Sequence, residues 1–306
     1  MLFPYFVDMA VPVFMIISGY VYFCSFRKNK IEHFEDAYKS SFFVPKIFRY
    51  FVPFLITIFV EFVLSLLTNN FNFSFLLGVI RGGFGPGSYY FPVMIQFVFV
   101  YPIIYFLIQE KGHKGFFICI ALNILYEFFQ RTYFITEECY RLLIFRYISV
   151  ISFGSFLASR ENCFDLWDKI LSFCIGAGFI FLISYTSYKP KIIIYWTGTS
   201  FLATLYILPI CDFMIKKCTK IRIQPLEWLG KASFNIFLVQ MVYFNYIGYL
   251  SFKIFEKNAK LYFSLVLQNG FNILLCSVLG LMFYAMEKRI TNRILTLIKI
   301  SNFRSL

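Results

Sequence analysis

The stretch FVDMAVPVFMIISGY, Phe6 to Tyr20, decides how the chain is read. It is apolar enough to enter a membrane, yet it carries Asp8 and Pro12 in one half and the Ser18–Gly19 pair in the other. A helix that only anchors a protein in lipid needs none of these, because each introduces a polar group or frees a backbone carbonyl. The stretch therefore reads as a spanning helix that also faces something other than lipid.

The rest of the chain agrees. Hydrophobic residues make up 59% of it and charged residues 15%, where a soluble domain carries about a quarter, and the mean hydropathy is +0.70. The fold class expected is all-α, a polytopic transmembrane helix bundle. Aromatic residues reach 23%, and many tyrosines sit near the ends of apolar runs, where a ring with a polar tip suits the membrane boundary. Eight cysteines are scattered singly with no CxxC and no nearby His, which makes them packing thiols rather than ligands; no metal site is expected. The first apolar run lacks a basic leader and continues as a full span, so it is not a cleavable signal.

A span needs about 20 mostly apolar residues. About nine candidates fit, near 4–25, 47–67, 89–109, 115–134, 142–159, 170–188, 192–214, 232–250 and 261–286. The connections between them are too short for a soluble core, so residues 1–306 are expected to form a single membrane domain. If the loop after the first span is cytoplasmic, segments 26–49, 110–114, 160–169, 216–231 and 288–304 together collect 20 of the 29 Lys and Arg residues. The positive-inside rule then puts the N-terminus outside and the C-terminus in the cytoplasm of a multi-pass cell-membrane protein. The net charge of +13 is accounted for by this bias, since the basic runs form no amphipathic basic surface; nucleic acid is not an expected partner, and membrane lipids are.

Polar groups inside spans are costly and so are functional candidates. Asp8, Glu61, Glu127 and Arg146 all fall toward the outer ends of their spans, which predicts an outward-facing polar cavity or a cross-helix ion-pair network; snorkelling to the interface is the plainer alternative. Gln96, Asn123, Asn235, Gln240 and Asn272 are amides of the kind that hold bundles together by bonds across helices. On the inner side, Lys46 and Arg49 open the second span, where either the phosphates of a nucleotide-like donor or anionic lipid headgroups would suit them. The glycine-rich connection RGGFGPGSYYFP, Arg81 to Pro92, has neither the P-loop nor the dinucleotide spacing and reads as a re-entrant or lid-like outer loop.

Several segments together resemble the acyltransferase-3 family, polytopic membrane enzymes that O-acylate cell-surface glycans and related acceptors. AVPVFMIISGYVY (Ala10 to Tyr22) is similar to the family's second helix, and VPKIFRYFVPF (Val44 to Phe54) to the basic start of the next. LEWLGKASFNIFLVQ (Leu226 to Gln240) resembles the late signature, and YYFPVMIQFVFVYPII (Tyr89 to Ile104) echoes an aromatic pair followed by an apolar helix with Pro. The order and separations match across most of the chain. The resemblance implies transfer of an acyl group, often acetyl, from cytoplasmic acyl-CoA as donor substrate to a hydroxyl of a glycan or lipid-linked sugar, with no bound cofactor. It places Lys46 and Arg49 at the donor, Arg146 and Glu61 in catalytic roles at the acceptor, and Ser18, Gly19, Tyr90 and Gln240 along the cavity. Gly19 would let another backbone or the ligand come close beside Ser18.

Two features depart from that pattern. Family members begin with a helix bearing an Arg and, about ten residues on, a His; this chain starts at what resembles the second helix, and the expectation is that a first helix precedes Met1. The two histidines, His33 and His113, fall in predicted loops, and Gln240 stands where the late signature usually has His. A non-catalytic relative serving as a scaffold in glycan assembly, and a polysaccharide flippase or polymerase, are the alternative readings. The last usually has more spans and a large late outer loop.

Overall fold

In a computed structural model, residues 10–68, 74–133, 136–160, 164–185, 201–218, 223–248 and 261–297 are described. The described residues are 88% helical, without a strand, so the all-α expectation holds. Asp8 and the start of the predicted span at 192–214 lie outside them.

The helices follow the apolar runs. They are α1 (Ala10–Lys28), α2 (Ser40–Leu67), α3 (Ser74–Ile80), α4 (Tyr90–Lys111), α5 (His113–Thr132), α6 (Glu137–Leu142), α7 (Ile148–Ser159), α8 (Leu166–Tyr185), α9 (Phe201–Cys218), α10 (Gln224–Lys231), α11 (Ser233–Tyr246) and α12 (Leu261–Leu297). Three segments, Ser40–Leu67, Tyr90–Lys111 and Val266–Leu297, are long and apolar enough to cross a bilayer by length and composition. Ile144–Ser159 and Thr204–Met214 are shorter apolar helical segments. Large apolar side chains such as Phe59, Leu67, Phe117 and Ile273 are exposed along these helices, as lipid-facing surfaces require.

The described chain forms two compact units, one of residues 1–38 and 96–221, the other of 39–95 and 222–305. In the first unit α1 packs most extensively on α7, and α8 on α9. The α1–α7 contact has a local cause. A Cβ at Gly19 would collide with the Ile151 carbonyl, and one at Gly154 with the Ile16 carbonyl, so the two glycines let the backbones touch reciprocally. The Gly19 carbonyl then accepts from the Tyr101 hydroxyl at 3.0 Å and from Ser155 Oγ at 3.2 Å, which ties α4 to the same crossing. Beside it, Tyr22, Phe26, Phe97, Tyr101 and Tyr105 form a buried aromatic cluster with ring centroids 4.6 to 5.2 Å apart. Polar groups are thus spent on backbone acceptors while the rings fill space.

In the second unit α11 packs on α12, and α2 on both. Pro53 sits inside α2. Having no N–H, it donates no helical hydrogen bond. The Pro53 carbonyl accepts from Thr57 Oγ1 at 2.9 Å.

Candidate functional site

Helix α7 does not begin where the apolar pattern begins. Residues 142–147 break into a turn of 3-10 helix, Ile144–Tyr147, before α7 starts at Ile148. Two amides predicted as cross-helix glue hold the break open. Gln96 donates from Nε2 to the Leu142 carbonyl at 2.7 Å and accepts the Ile144 N–H at 3.1 Å. Asn123 donates from Nδ2 to the Phe145 carbonyl at 3.0 Å and accepts from Ser149 Oγ at 2.8 Å. Three of these bonds engage the backbone of the segment and the fourth the first turn of α7, which together fix the backbone that carries Arg146.

Arg146 is 2% exposed. Its guanidinium lies 4.8 Å from the Tyr140 ring centroid and 4.9 Å from that of Tyr147, contacts each worth about 2 kcal/mol when shielded from water. Glu127, fully buried on α5, is its acidic neighbour. Tyr140 donates to Glu127 Oε1 at 2.6 Å, while Tyr126 stacks on Tyr140 and donates to its carbonyl at 3.4 Å. Burial, with the Glu127 carboxylate beside it, pushes the Tyr140 phenol well above its usual range, so it stays a donor. Glu127 Oε2 and both amide atoms of Gln130, one helical turn along α5, are buried without a hydrogen-bond partner among the described residues. Buried polar atoms almost always find partners, so this cluster retains polar capacity that its own side chains do not use. Of the outer-end residues singled out by sequence, Glu127 and Arg146 are brought together. Tyr140, Tyr126 and Gln130 were not singled out; Tyr140 and Gln130 lie at the ends of apolar runs, where interfacial residues look the same.

Ser18 is half-buried and Gly19 is buried, and the close approach at Gly19 is made by backbone. The remaining candidates belong to the second unit. Lys46 is buried with its ammonium 4.4 Å from the Phe42 ring centroid. Arg49, one turn on, is exposed and acts electrostatically on Lys46 and on Glu287 of α12. Glu287 accepts from Thr291, and the buried Nδ2 of Asn235 stands beside it without closing a hydrogen bond of good geometry.

Glu61 is fully buried, and both its oxygens lie 3.3 Å from the Phe84 N–H of the glycine-rich loop. That loop holds Gly82, Gly83, Gly85 and Gly87 at φ of 89° to 105°, a region side-chain-bearing residues avoid. A Cβ on Gly83 would also press on Glu61 Oε2 and Met241. Tyr246 of α11 donates to the Glu61 carbonyl at 3.3 Å. Tyr90, buried after the loop, packs on Phe237 of α11 at 4.9 Å, whereas Gln240 is exposed. The loop is therefore strapped onto α2 and α11. Both histidines are exposed, His113 with its ring against Phe156.

Compared with known proteins, residues 1–286 match the family model described as an acyltransferase domain, that of acyltransferase-3. No curated protein and no solved structure matches the chain significantly.

Proposed function

Since the chain belongs to the acyltransferase-3 family and is in general terms a membrane acyltransferase, we propose that it moves an acetyl group from acyl-CoA to a hydroxyl of a cell-surface glycan or lipid-linked sugar. The observation that carries this reading is the Glu127 carboxyl: buried, oriented through Oε1 by Tyr140, and with Oε2 unused beside Arg146. A carboxylate so held suits removal of a proton from an incoming hydroxyl. The hydroxyl oxygen attacks the thioester carbonyl, the C–S bond breaks, and the CoA thiolate leaves and takes up a proton. Arg146 supplies fixed positive charge on the acceptor side, where negative charge develops on oxygen. Gln96 and Asn123 are positioning residues that act through the segment bearing Arg146.

In the second unit, Lys46 and Arg49 are two cations one helical turn apart, which suits the phosphates of a donor as it suits anionic lipid headgroups. Glu61 serves this reading as the anchor of the glycine-rich loop. The outward acceptor side and cytoplasmic C-terminus follow the distribution of Lys and Arg. Both histidines within residues 1–306 are exposed, so among these residues the base assigned by this reading is the Glu127 carboxylate.

The test is transfer of radiolabelled acetyl from acetyl-CoA into the glycan fraction of membranes expressing the chain, with mild alkali used to release ester-bound acetate. Alkali-labile label that falls at least about a hundredfold in Glu127→Gln is expected for loss of a general base. No label above that of membranes lacking the chain overturns the reading and leaves a non-catalytic scaffold.

A further inference from the structure

We infer that a basic cleft in the first unit, where α1, α4 and α7 end, is a binding site for a phosphate group. The cleft has a volume of about 320 Å³, within the range of roughly 300–1,000 Å³ of small-molecule sites. Its cations are Arg27 from the last turn of α1, Lys111 from the end of α4 and Arg160 just after α7. Glu110 is its one carboxylate, which leaves two positive charges in excess. A phosphomonoester such as the 3′-phosphate of CoA carries about −1.5 to −2 and matches this excess, and the singly charged phosphodiester of a lipid headgroup is attracted by it as well. Gln109 and Ser159 add neutral hydrogen-bonding groups, and Phe23 and Ile108 give an apolar wall.

The cleft is shaped by the backbone as well as by charge. Gly112, between α4 and α5, has φ of +52°, and a Cβ there would come within 2.8 Å of a terminal nitrogen of Arg160. A bare backbone at this point leaves room for that terminal nitrogen to approach the turn. Cations at helix C-terminal ends are favoured by the helix dipole, and that alone would allow three separate, splayed side chains. Here three helix ends instead deliver their cations to one cleft with room for a ligand.

Two molecules present a phosphate to this site: an anionic phospholipid headgroup and the CoA donor. Only the second rests on the transferase reading. The full chain in detergent is tested in two arms. Native mass spectrometry reads retention of phosphatidylglycerol against phosphatidylcholine, whose phosphate is masked by choline. Thermal melting reads stabilisation by coenzyme A against dephospho-coenzyme A. The lipid source predicts preferential retention of phosphatidylglycerol; the donor source predicts a Tm rise with coenzyme A that is weaker for the dephospho form.

In either arm the double variant Arg27→Gln/Arg160→Gln is expected to weaken binding at least about tenfold, because each substitution removes a charge-assisted hydrogen bond to the phosphate. Glu110→Gln is expected to strengthen it. Lys28→Gln, a neighbouring cation outside the cleft, serves as control. Retention of neither ligand, or a loss in the double variant no greater than in the control, overturns the inference. Because acetyl transfer is measured separately, binding without transfer sinks the transferase reading alone, and transfer without binding here sinks only the cleft.

Discussion

The Tyr140 hydroxyl donates to Glu127 Oε1 across 2.6 Å, joining a six-residue helix to the buried face of α5. Without Tyr140, the Glu127 carboxyl would be buried with neither oxygen supported. Tyr140→Phe is expected to lower unfolding free energy by about 1–3 kcal/mol, measured as a fall in Tm of the purified chain. Because burial holds the phenol protonated well above its usual range, its contribution is fully present below the unfolded value of about 10 and is lost only as pH rises beyond that. The Tm difference between Tyr140→Phe and wild type should accordingly stay constant from pH 6 to pH 9.

At the α1–α7 crossing, enlarging either glycine meets backbone, which cannot rotate away as a side chain can. Gly19→Leu and Gly154→Leu should each cost about 1–3 kcal/mol or more, seen as loss of monodisperse protein or a lower Tm. The double variant should cost less than the sum, since the first substitution already separates the helices. Additive losses would mean that the two glycines act at independent contacts.

Glu61 holds the glycine-rich loop through the Phe84 N–H. Glu61→Gln keeps an acceptor oxygen and should leave the loop in place, whereas Glu61→Leu removes it. Limited trypsin cleavage after the exposed Arg81 should then be about tenfold faster in Glu61→Leu than in wild type, the factor expected for losing roughly 1.4 kcal/mol of closing energy. Equal rates in all three proteins would separate Glu61 from loop position.

Lys169 and Asp212 pair at 2.7 Å between α8 and α9, with the aspartate the more buried. Asp212→Ala should destabilise by about 1–3 kcal/mol, less than the 3–5 kcal/mol of a fully buried pair, because Lys169 keeps partial access to solvent. Replacing both partners, as Lys169→Met/Asp212→Leu, should recover most of that loss in Tm.

The all-α membrane class was legible because uninterrupted apolar runs of about 20 residues satisfy their backbone groups in lipid as helices, whereas barrel strands would alternate polar and apolar over about 10 residues. Gly19 was legible as a point of close approach, since no other residue type permits it. The break at 142–147 was not, because its sequence is as apolar as a helix; Gln96, far along the chain, captures the Leu142 carbonyl and the Ile144 N–H. The Glu127–Tyr140 pairing was hidden for the same reason, as it depends on where that break turns the chain. Helix α12 runs to Leu297, past the predicted limit near 286. The charges that end its apolar run belong to Glu, Lys and Arg, which are good helix formers and do not end the helix.

That last helix has a geometric consequence. Its 37 residues span about 55 Å at 1.5 Å per residue, against a hydrocarbon layer of about 30 Å. Tilting alone would require an inclination near 57°, beyond the 0–40° range of spanning helices. The helix therefore extends past the hydrocarbon layer even when tilted within that range, and its charged last turns place Arg289 and Arg293 beyond the layer. A spin label at residue 293 would report a position outside that layer instead of depth within it.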